Sequence, residues 1–157
     1  MDFGKLVTTG KGWNEIQVGD GIQVKKKVIL RDIFAYLGAA DDCNPIYLKE
    51  SYAAQTRYRQ VIVPSGLIFS WISALISSEL PGPGSVVKEM RLSFPETFHP
   101  ENEISFSLTV KDKNPADRNI TLQVLVTGDA RTIAEGEIDV LPPQPLNPMM
   151  DNLLDNF

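Results

Sequence analysis

The second half of the chain carries apolar residues at alternating positions, which is the pattern of half-buried β-strands. Four such segments are separated by turn-forming stretches, and they cover residues 86–94, 103–111, 120–127 and 132–140. An earlier strand is predicted over residues 22–30, with Ile22, Val24 and Val28 on one face. Consecutive strands with short connections favour an antiparallel sheet. The lysine triplet at residues 25–27 favours a solvated strand edge over a phosphate-binding patch.

Residues 61–78 form a long segment without charged side chains. The segment contains Pro64, Gly66 and five serines, which favours a buried helix of a globular protein over a membrane span. We predict the helix over residues 66–80, with Ser65 as its N-cap and the Pro-Gly-Pro-Gly run at residues 81–84 as its stop. Apolar residues lie all round this helix, so it is expected to be buried on most sides.

Small residues recur every three or four positions along this helix and form a single stripe: Gly66, Ser70, Ser73 and Ser77. Such a stripe allows a strand or a ligand to approach the helix backbone closely, because no large side chain stands in the way. Close packing against the sheet is the simpler of these two interpretations.

Two shorter helices are predicted over residues 32–37, ending at Gly38, and over residues 48–55. The segment between them is expected to be a fixed loop, because Pro45 forces Asn44 into an extended conformation. One long helix against an antiparallel sheet is an α+β arrangement. We assign a single domain to residues 13–140, a flexible arm to residues 1–12, and a tail to residues 141–157 that is either loose or docked on a neighbour. The uncovered face and edges of the sheet predict a dimer.

Composition and charge limit the class of protein further. The chain has 157 residues, 43% of them hydrophobic, which is enough for the core of one domain. A net charge of -5 argues against a nucleic-acid-binding domain, although a local basic patch for an anionic ligand is compatible with it. With one cysteine, Cys43, and one histidine, His99, neither an internal disulfide nor a conventional metal site is expected. Cys43 is interpreted as structural, His99 as a surface residue, and the chain as cytoplasmic, since no apolar leader is visible at its start.

Three short runs precede the long helix: Phe34-Ala35-Tyr36-Leu37, Asp42-Cys43-Asn44-Pro45-Ile46-Tyr47 and Tyr52-Ala53-Ala54. Together with the stop Leu80-Pro81-Gly82-Pro83-Gly84, they resemble the hydratase motif and its flanking segments in the MaoC-like, (R)-specific enoyl-CoA hydratases. The similarity spans roughly residues 13–140. It implies the hot-dog fold, in which an antiparallel sheet wraps one long helix and two copies pair into a dimer.

The resemblance also implies where the chemistry lies. In that family, an Asp and a His five positions apart activate the water that adds to an enoyl-thioester. The Asp matches Asp42, a helix Ser matches Ser73, and the His position is occupied here by Tyr47. The family's His-Gly pair at the helix start matches Pro64-Ser65, which implies that the backbone amide of Ser65 holds the thioester oxygen.

The replacement of histidine by tyrosine has a chemical consequence. An ordinary His titrates near pH 6.5 and an ordinary Tyr near pH 10, so Tyr47 is a poor base at neutral pH. Asp42 is then the remaining candidate base, and Tyr47 is a hydrogen-bond donor, a general acid or a packing residue. Asn44, Gly66 and Ser70 are expected to contact the substrate. Ordinary structural roles stay open: Asp42 and Asn44 are typical loop-fixing residues, and a helical serine such as Ser73 often bonds a carbonyl of its own turn.

These observations predict a protein that binds an acyl-CoA or an acyl-carrier thioester as substrate and uses no other cofactor. The expected activity is that of an (R)-specific enoyl-CoA hydratase or 3-hydroxyacyl-CoA dehydratase of fatty acid metabolism with an altered catalytic pair. The alternatives are a catalytically weak or inactive acyl-CoA-binding module and an acyl-CoA thioesterase. A homodimer or a higher homo-oligomer is expected, with no nucleic-acid partner and no insertion into membranes.

Overall fold

A five-stranded antiparallel sheet forms the centre of the computed structural model, which describes residues 9–146. Its strands are β1 (Gly21–Lys27), β2 (Val86–Ser93), β3 (Glu103–Asn114), β4 (Asn119–Gly128) and β5 (Arg131–Leu141). Their order in the sheet is β1-β3-β4-β5-β2, so β1 and β2 are the two edge strands. The predicted antiparallel sheet and its five strands are therefore confirmed.

The two faces of the sheet differ because the strands alternate apolar and polar residues. On the inner face, Phe106 of β3 pairs with Val126 of β4, and both side chains are buried. Trp71 of the long helix meets the Phe106 ring edge-on, with ring centroids 6.1 Å apart and an interplanar angle of 86°. The inner face is thus the one that the long helix covers, which is the α+β arrangement predicted above.

Four helices precede β2 in the chain: α1 (Leu30–Ala40), α2 (Pro45–Leu48), α3 (Glu50–Ala53) and α4 (Ser65–Ser78). The prediction that Gly38 ends the first helix is wrong. Gly38 lies inside α1, and Asp41 ends the helix in the left-handed conformation at φ 52°. The predicted second helix is instead two single turns, separated at Lys49 by extended backbone.

Two predictions about the long helix α4 are also wrong. Pro64, not Ser65, is its N-cap, and Ser65 is its first helical residue. The helix is buried along one side only, where Leu67, Ile68, Ile72 and Ile76 point toward the sheet. The small-residue stripe does not pack against the sheet: Ser70 and Ser77 are exposed, and Gly66 and Ser73 are half-buried. A single sheet can cover only one face of a helix, so the remaining face is open in the isolated chain.

The start of the described segment lies against the Pro-Gly-Pro-Gly run at residues 81–84. The amides of Gly10 and Lys11 donate to the carbonyl oxygens of Pro83 and Pro81 at 2.9 and 2.8 Å, so the described part of the predicted arm is attached to the domain. The remainder of that arm, and most of the predicted tail with Met149 and Met150, lie outside the described residues. No helix within residues 9–146 has the length and apolar character needed to cross a membrane.

Candidate functional site

Asp42 lies in the loop between α1 and α2, and local hydrogen bonds fix its position. Its amide donates to the carbonyl of Leu37 at 3.0 Å, and its Oδ1 accepts from the amide of Asn44 at 2.9 Å. Asn44 is the N-cap of α2, and its Oδ1 accepts from the amide of Ile46 at 3.2 Å. Pro45 occupies the first position of α2, where its missing N–H costs nothing. The half-buried carboxylate of Asp42 is therefore held by backbone geometry, and Asn44 has a structural role in the same loop.

Tyr47 stands on α2, close enough to Asp42 for the charge of this carboxylate to act on its phenol. Burial is the main cause that raises the pKa of its phenol, and the negative charge of Asp42 raises it further, with smaller contributions from Tyr36 and Tyr58. A raised pKa keeps the hydroxyl protonated throughout the neutral range. Tyr47 can thus donate a hydrogen bond next to Asp42, but it cannot serve as a base at neutral pH.

Tyr36 of α1 lies over the first turn of α4. A Cβ added at Gly66 would stand 2.7 Å from Cζ of the Tyr36 ring and closer still to its hydroxyl oxygen. Only a glycine at position 66 therefore leaves room for Tyr36 in this position. The hydroxyl of Ser70 donates to the carbonyl of Gly66 at 2.8 Å. Tyr36, which contributes to the raised pKa of Tyr47, therefore also lies against Gly66 at the start of the long helix.

The start of α4 also offers backbone donors. The carbonyl of Pro64 accepts from the amides of Leu67 and Ile68 at 3.1 and 3.3 Å. The amides of Ser65 and Gly66, in the first turn, have no acceptor within the helix. Ser65 is exposed, and its amide is the one that the resemblance implies as the donor to the thioester oxygen.

Not every predicted residue takes part in these interactions. Ser73 is half-buried, and its hydroxyl has no hydrogen-bond partner within residues 9–146, whereas Ser70 and Ser78 bond carbonyls of their own turns. Cys43 is exposed beside Asp42. His99 is not the surface residue that was predicted: it is half-buried, with its Nδ1 2.9 Å from the carbonyl oxygen of Val61.

Two residues near the candidate site were not singled out from the sequence. Tyr36 and Tyr58 both act on the pKa of Tyr47. Tyr36 stands inside the first run that carries the family resemblance, so a signal for it was present. No sequence pattern pointed to Tyr58. It comes near Tyr47 because the chain turns back after α3, where the amide of Ile62 donates to the carbonyl of Ile46 at 3.3 Å.

Comparison with known proteins gives a consistent picture. The chain is 27% identical over 131 residues to an (R)-specific enoyl-CoA hydratase from Rhodospirillum rubrum, covering 83% of this chain and 91% of that protein. It is 26% identical over 132 residues to a 3-hydroxybutyryl-CoA dehydratase from Methylorubrum extorquens, covering 84% of each. Among solved structures, R-hydratase PhaJ1 from Pseudomonas aeruginosa superposes with a TM-score of 0.80 at 26% identity, over 87% of this chain and 88% of that one.

The architecture is thus the hot-dog fold, with one long helix against an antiparallel sheet. Residues 15–131 match the family described as MaoC like domain, and this match lies inside the single domain predicted from the sequence. Since the matched segment makes up most of the chain, this protein belongs to the MaoC-like domain family.

Proposed function

We propose that this protein adds water reversibly to a 2-enoyl-CoA, giving the (R)-3-hydroxyacyl-CoA. The observation that carries the proposal is the fixed carboxylate of Asp42 beside the protonated hydroxyl of Tyr47. The names of the relatives support the same reaction, since two are called (R)-specific enoyl-CoA hydratase and a third 3-hydroxybutyryl-CoA dehydratase.

In the proposed reaction, Asp42 removes a proton from a water molecule whose oxygen forms a bond to C3 of the enoyl group. The electrons of the C2–C3 double bond move to the thioester, which becomes an enolate. The amide of Ser65 and the hydroxyl of Tyr47 are the proposed hydrogen-bond donors to developing negative charge. The protonated Asp42 then delivers its proton to C2, which completes the addition of one water and regenerates the carboxylate.

The test is a comparison of Asp42→Asn with Asp41→Asn. Asparagine at position 42 keeps the oxygen that accepts from the Asn44 amide, so the loop is retained while the base is lost. We expect a rate decrease of about 10²–10⁴-fold, which is the usual contribution of a general base. The measurement is the loss of enoyl-thioester ultraviolet absorbance over several chain lengths.

Asp41→Asn is a matched control, because it removes the same charge one residue away. Asp41 is exposed, and asparagine tolerates its left-handed backbone well. We expect this variant to keep the wild-type rate. Equal rates for the two variants, or no consumption of any enoyl-CoA by the wild type, would contradict the proposal.

A second candidate function is a binding module for acyl-CoA without turnover. The observation that favours it is the raised pKa of Tyr47 at the position where the resemblance implies a histidine. Calorimetric binding of acyl-CoA without loss of enoyl absorbance would support this module. Release of free thiol would instead indicate a thioesterase.

We also propose that two copies of the chain associate. The open side of α4 supports this, since Ser70, Ala74 and Ser77 are exposed along it. The edge strand β2 adds a second unpaired surface, with Val86 52% exposed and Phe94, just beyond its end, 39% exposed. The open side of α4 is uncharged where these three residues lie, and exposed apolar side chains such as Val86 and Phe94 are typical of regions that a partner covers.

A further inference from the structure

Three cations near the candidate site differ from most others in the chain. Most basic side chains have a carboxylate at salt-bridge distance; for example, each of Lys25, Lys26 and Lys27 is paired, with separations of 3.5, 3.8 and 3.4 Å. Lys49, Arg57 and Arg59 have no such carboxylate within residues 9–146. All three are exposed and lie within eleven residues of each other in sequence.

The neighbour of Arg57 is a neutral group. Its guanidinium donates to the hydroxyl of Tyr58 at 3.0 Å and lies 5.0 Å from the centre of the Tyr58 ring. The hydroxyl orients the guanidinium through a hydrogen bond and is not a carboxylate partner for its charge. The positive charge of Arg57 therefore lies next to Tyr58, which contributes to the raised pKa of Tyr47.

A well-defined turn presents the two arginines. The hydroxyl of Thr56 donates to the carbonyl of Ala53 at 2.7 Å and accepts from the amide of Tyr58 at 3.2 Å. The amide of Arg59 donates to the carbonyl of Thr56 at 3.2 Å, and Arg59 has a left-handed backbone at φ 66°. The turn thus places Arg57 and Arg59 on its exposed side while its ends lie close to α2 and α3.

We propose that Arg57 and Arg59 bind the phosphate groups of the CoA portion of the substrate at the rim of the candidate site, and that Lys49, between α2 and α3, adds a third positive charge. This inference rests on the proposed function, because it assigns residues to the CoA carrier that the proposed substrate contains. Guanidinium groups form paired, charge-assisted hydrogen bonds to phosphate oxygens, so the residue type suits the ligand.

The charge of the ligand makes a local group of cations favourable. CoA carries a phosphomonoester and a diphosphate, whereas the thioester end is uncharged. In a protein with a net charge of -5, cations without a carboxylate partner make the local potential favourable for these phosphates. The contact with the phosphates is the same in the ground state and the transition state, so it lowers KM and leaves kcat unaffected.

The experiment compares the double variant Arg57→Gln/Arg59→Gln with Lys25→Gln/Lys27→Gln, which removes two positive charges from the edge strand β1. Two substrates are used: an enoyl-CoA and the corresponding enoyl-pantetheine, which has no phosphate. We expect the arginine variant to raise the KM for enoyl-CoA about tenfold or more, the size of a lost hydrogen bond between charged groups. The KM for enoyl-pantetheine is expected to stay the same, and the lysine variant is expected to match the wild type with both substrates.

Calorimetric titration with CoA itself separates this inference from the hydratase proposal. We expect CoA to bind the arginine variant about tenfold more weakly than the lysine variant. If no thioester is hydrated but this difference is found, the hydratase proposal fails and the phosphate site stands. Equal CoA affinities for the two variants, no CoA binding by the wild type, or an equal rise of KM for both substrates would overturn the phosphate site. A preference for an acyl carrier protein over CoA would overturn it as well.

Discussion

Replacing Gly136 by alanine tests whether β2 and β5 pack as closely as the structure shows. Gly136 lies in β5 opposite Leu92 of β2, with φ at +154°. A Cβ at this position would stand 2.9 Å from the carbonyl carbon of Arg91 and 3.0 Å from Cα of Leu92, and closer still to the Arg91 oxygen. All three are backbone atoms, so no side-chain rotation can relieve the contact. The strand β2 has to move away from β5 instead.

Two effects determine the size of the expected destabilisation. Overpacking in a well-packed site costs about 1–3 kcal/mol. A non-glycine residue in a sparsely populated backbone region costs about 1–3 kcal/mol more. Together, Gly136→Ala is expected to lower the free energy of unfolding by about 2–6 kcal/mol, a large part of the roughly 5–15 kcal/mol of an ordinary domain.

Urea denaturation followed by tryptophan fluorescence measures this change, since Trp71 packs against Phe106 in the core. Gly38→Ala is the matched control. An added Cβ at Gly38, inside α1, meets nothing within 4 Å, so alanine there is expected to stabilise by about 0.5–1 kcal/mol. The reasoning is refuted if Gly136→Ala unfolds within about 0.5 kcal/mol of the wild type, the range of ordinary surface changes.

Two further predictions concern the site and the assembly. Tyr47→His restores the Asp-His pair that the resemblance implies, and we expect it to raise the hydration rate about a hundredfold, or about 2.7 kcal/mol in activation free energy. The gain is expected to develop as pH rises through the ordinary His pKa near 6.5, because the imidazole must be neutral to act as a base. A pH–rate profile with no gain would mean that the surroundings of Asp42 do not support this base. Sedimentation equilibrium of the wild type is expected to give twice the mass of one chain. Ala74→Glu places a charge on the open side of α4 and is expected to dissociate the dimer, whereas the control Ala39→Glu, at the exposed end of α1, is expected to leave it intact. A wild-type monomer would contradict the association.

The strands and the loop that holds Asp42 were accessible to sequence reasoning because their signals are local, whereas the role of Asp42 as a base is implied only by the family resemblance. Alternating apolar residues specify which face of a strand is buried, and the Asp-x-Asn-Pro run specifies its own loop through bonds between neighbours, such as the one from the Asn44 amide to Asp42. Helix ends were less predictable. Gly38 is a frequent stop signal, yet α1 continues past it to Ala40, since one helical glycine costs only about 1 kcal/mol and Asp41 adopts the left-handed cap.

The sequence by itself determined the individual strands, the long apolar helix and the loop that holds Asp42, because each depends on residues that are near each other along the chain. Only the tertiary structure decided which side of α4 is buried, that Tyr36 lies against Gly66, and that Tyr58, to which Arg57 donates a hydrogen bond, acts on Tyr47. These are relations between segments that meet only after the chain folds back, and hydrophobic patterning carries no information about them. A pattern specifies that a side chain is buried, whereas the arrangement of the elements specifies which groups it is buried against.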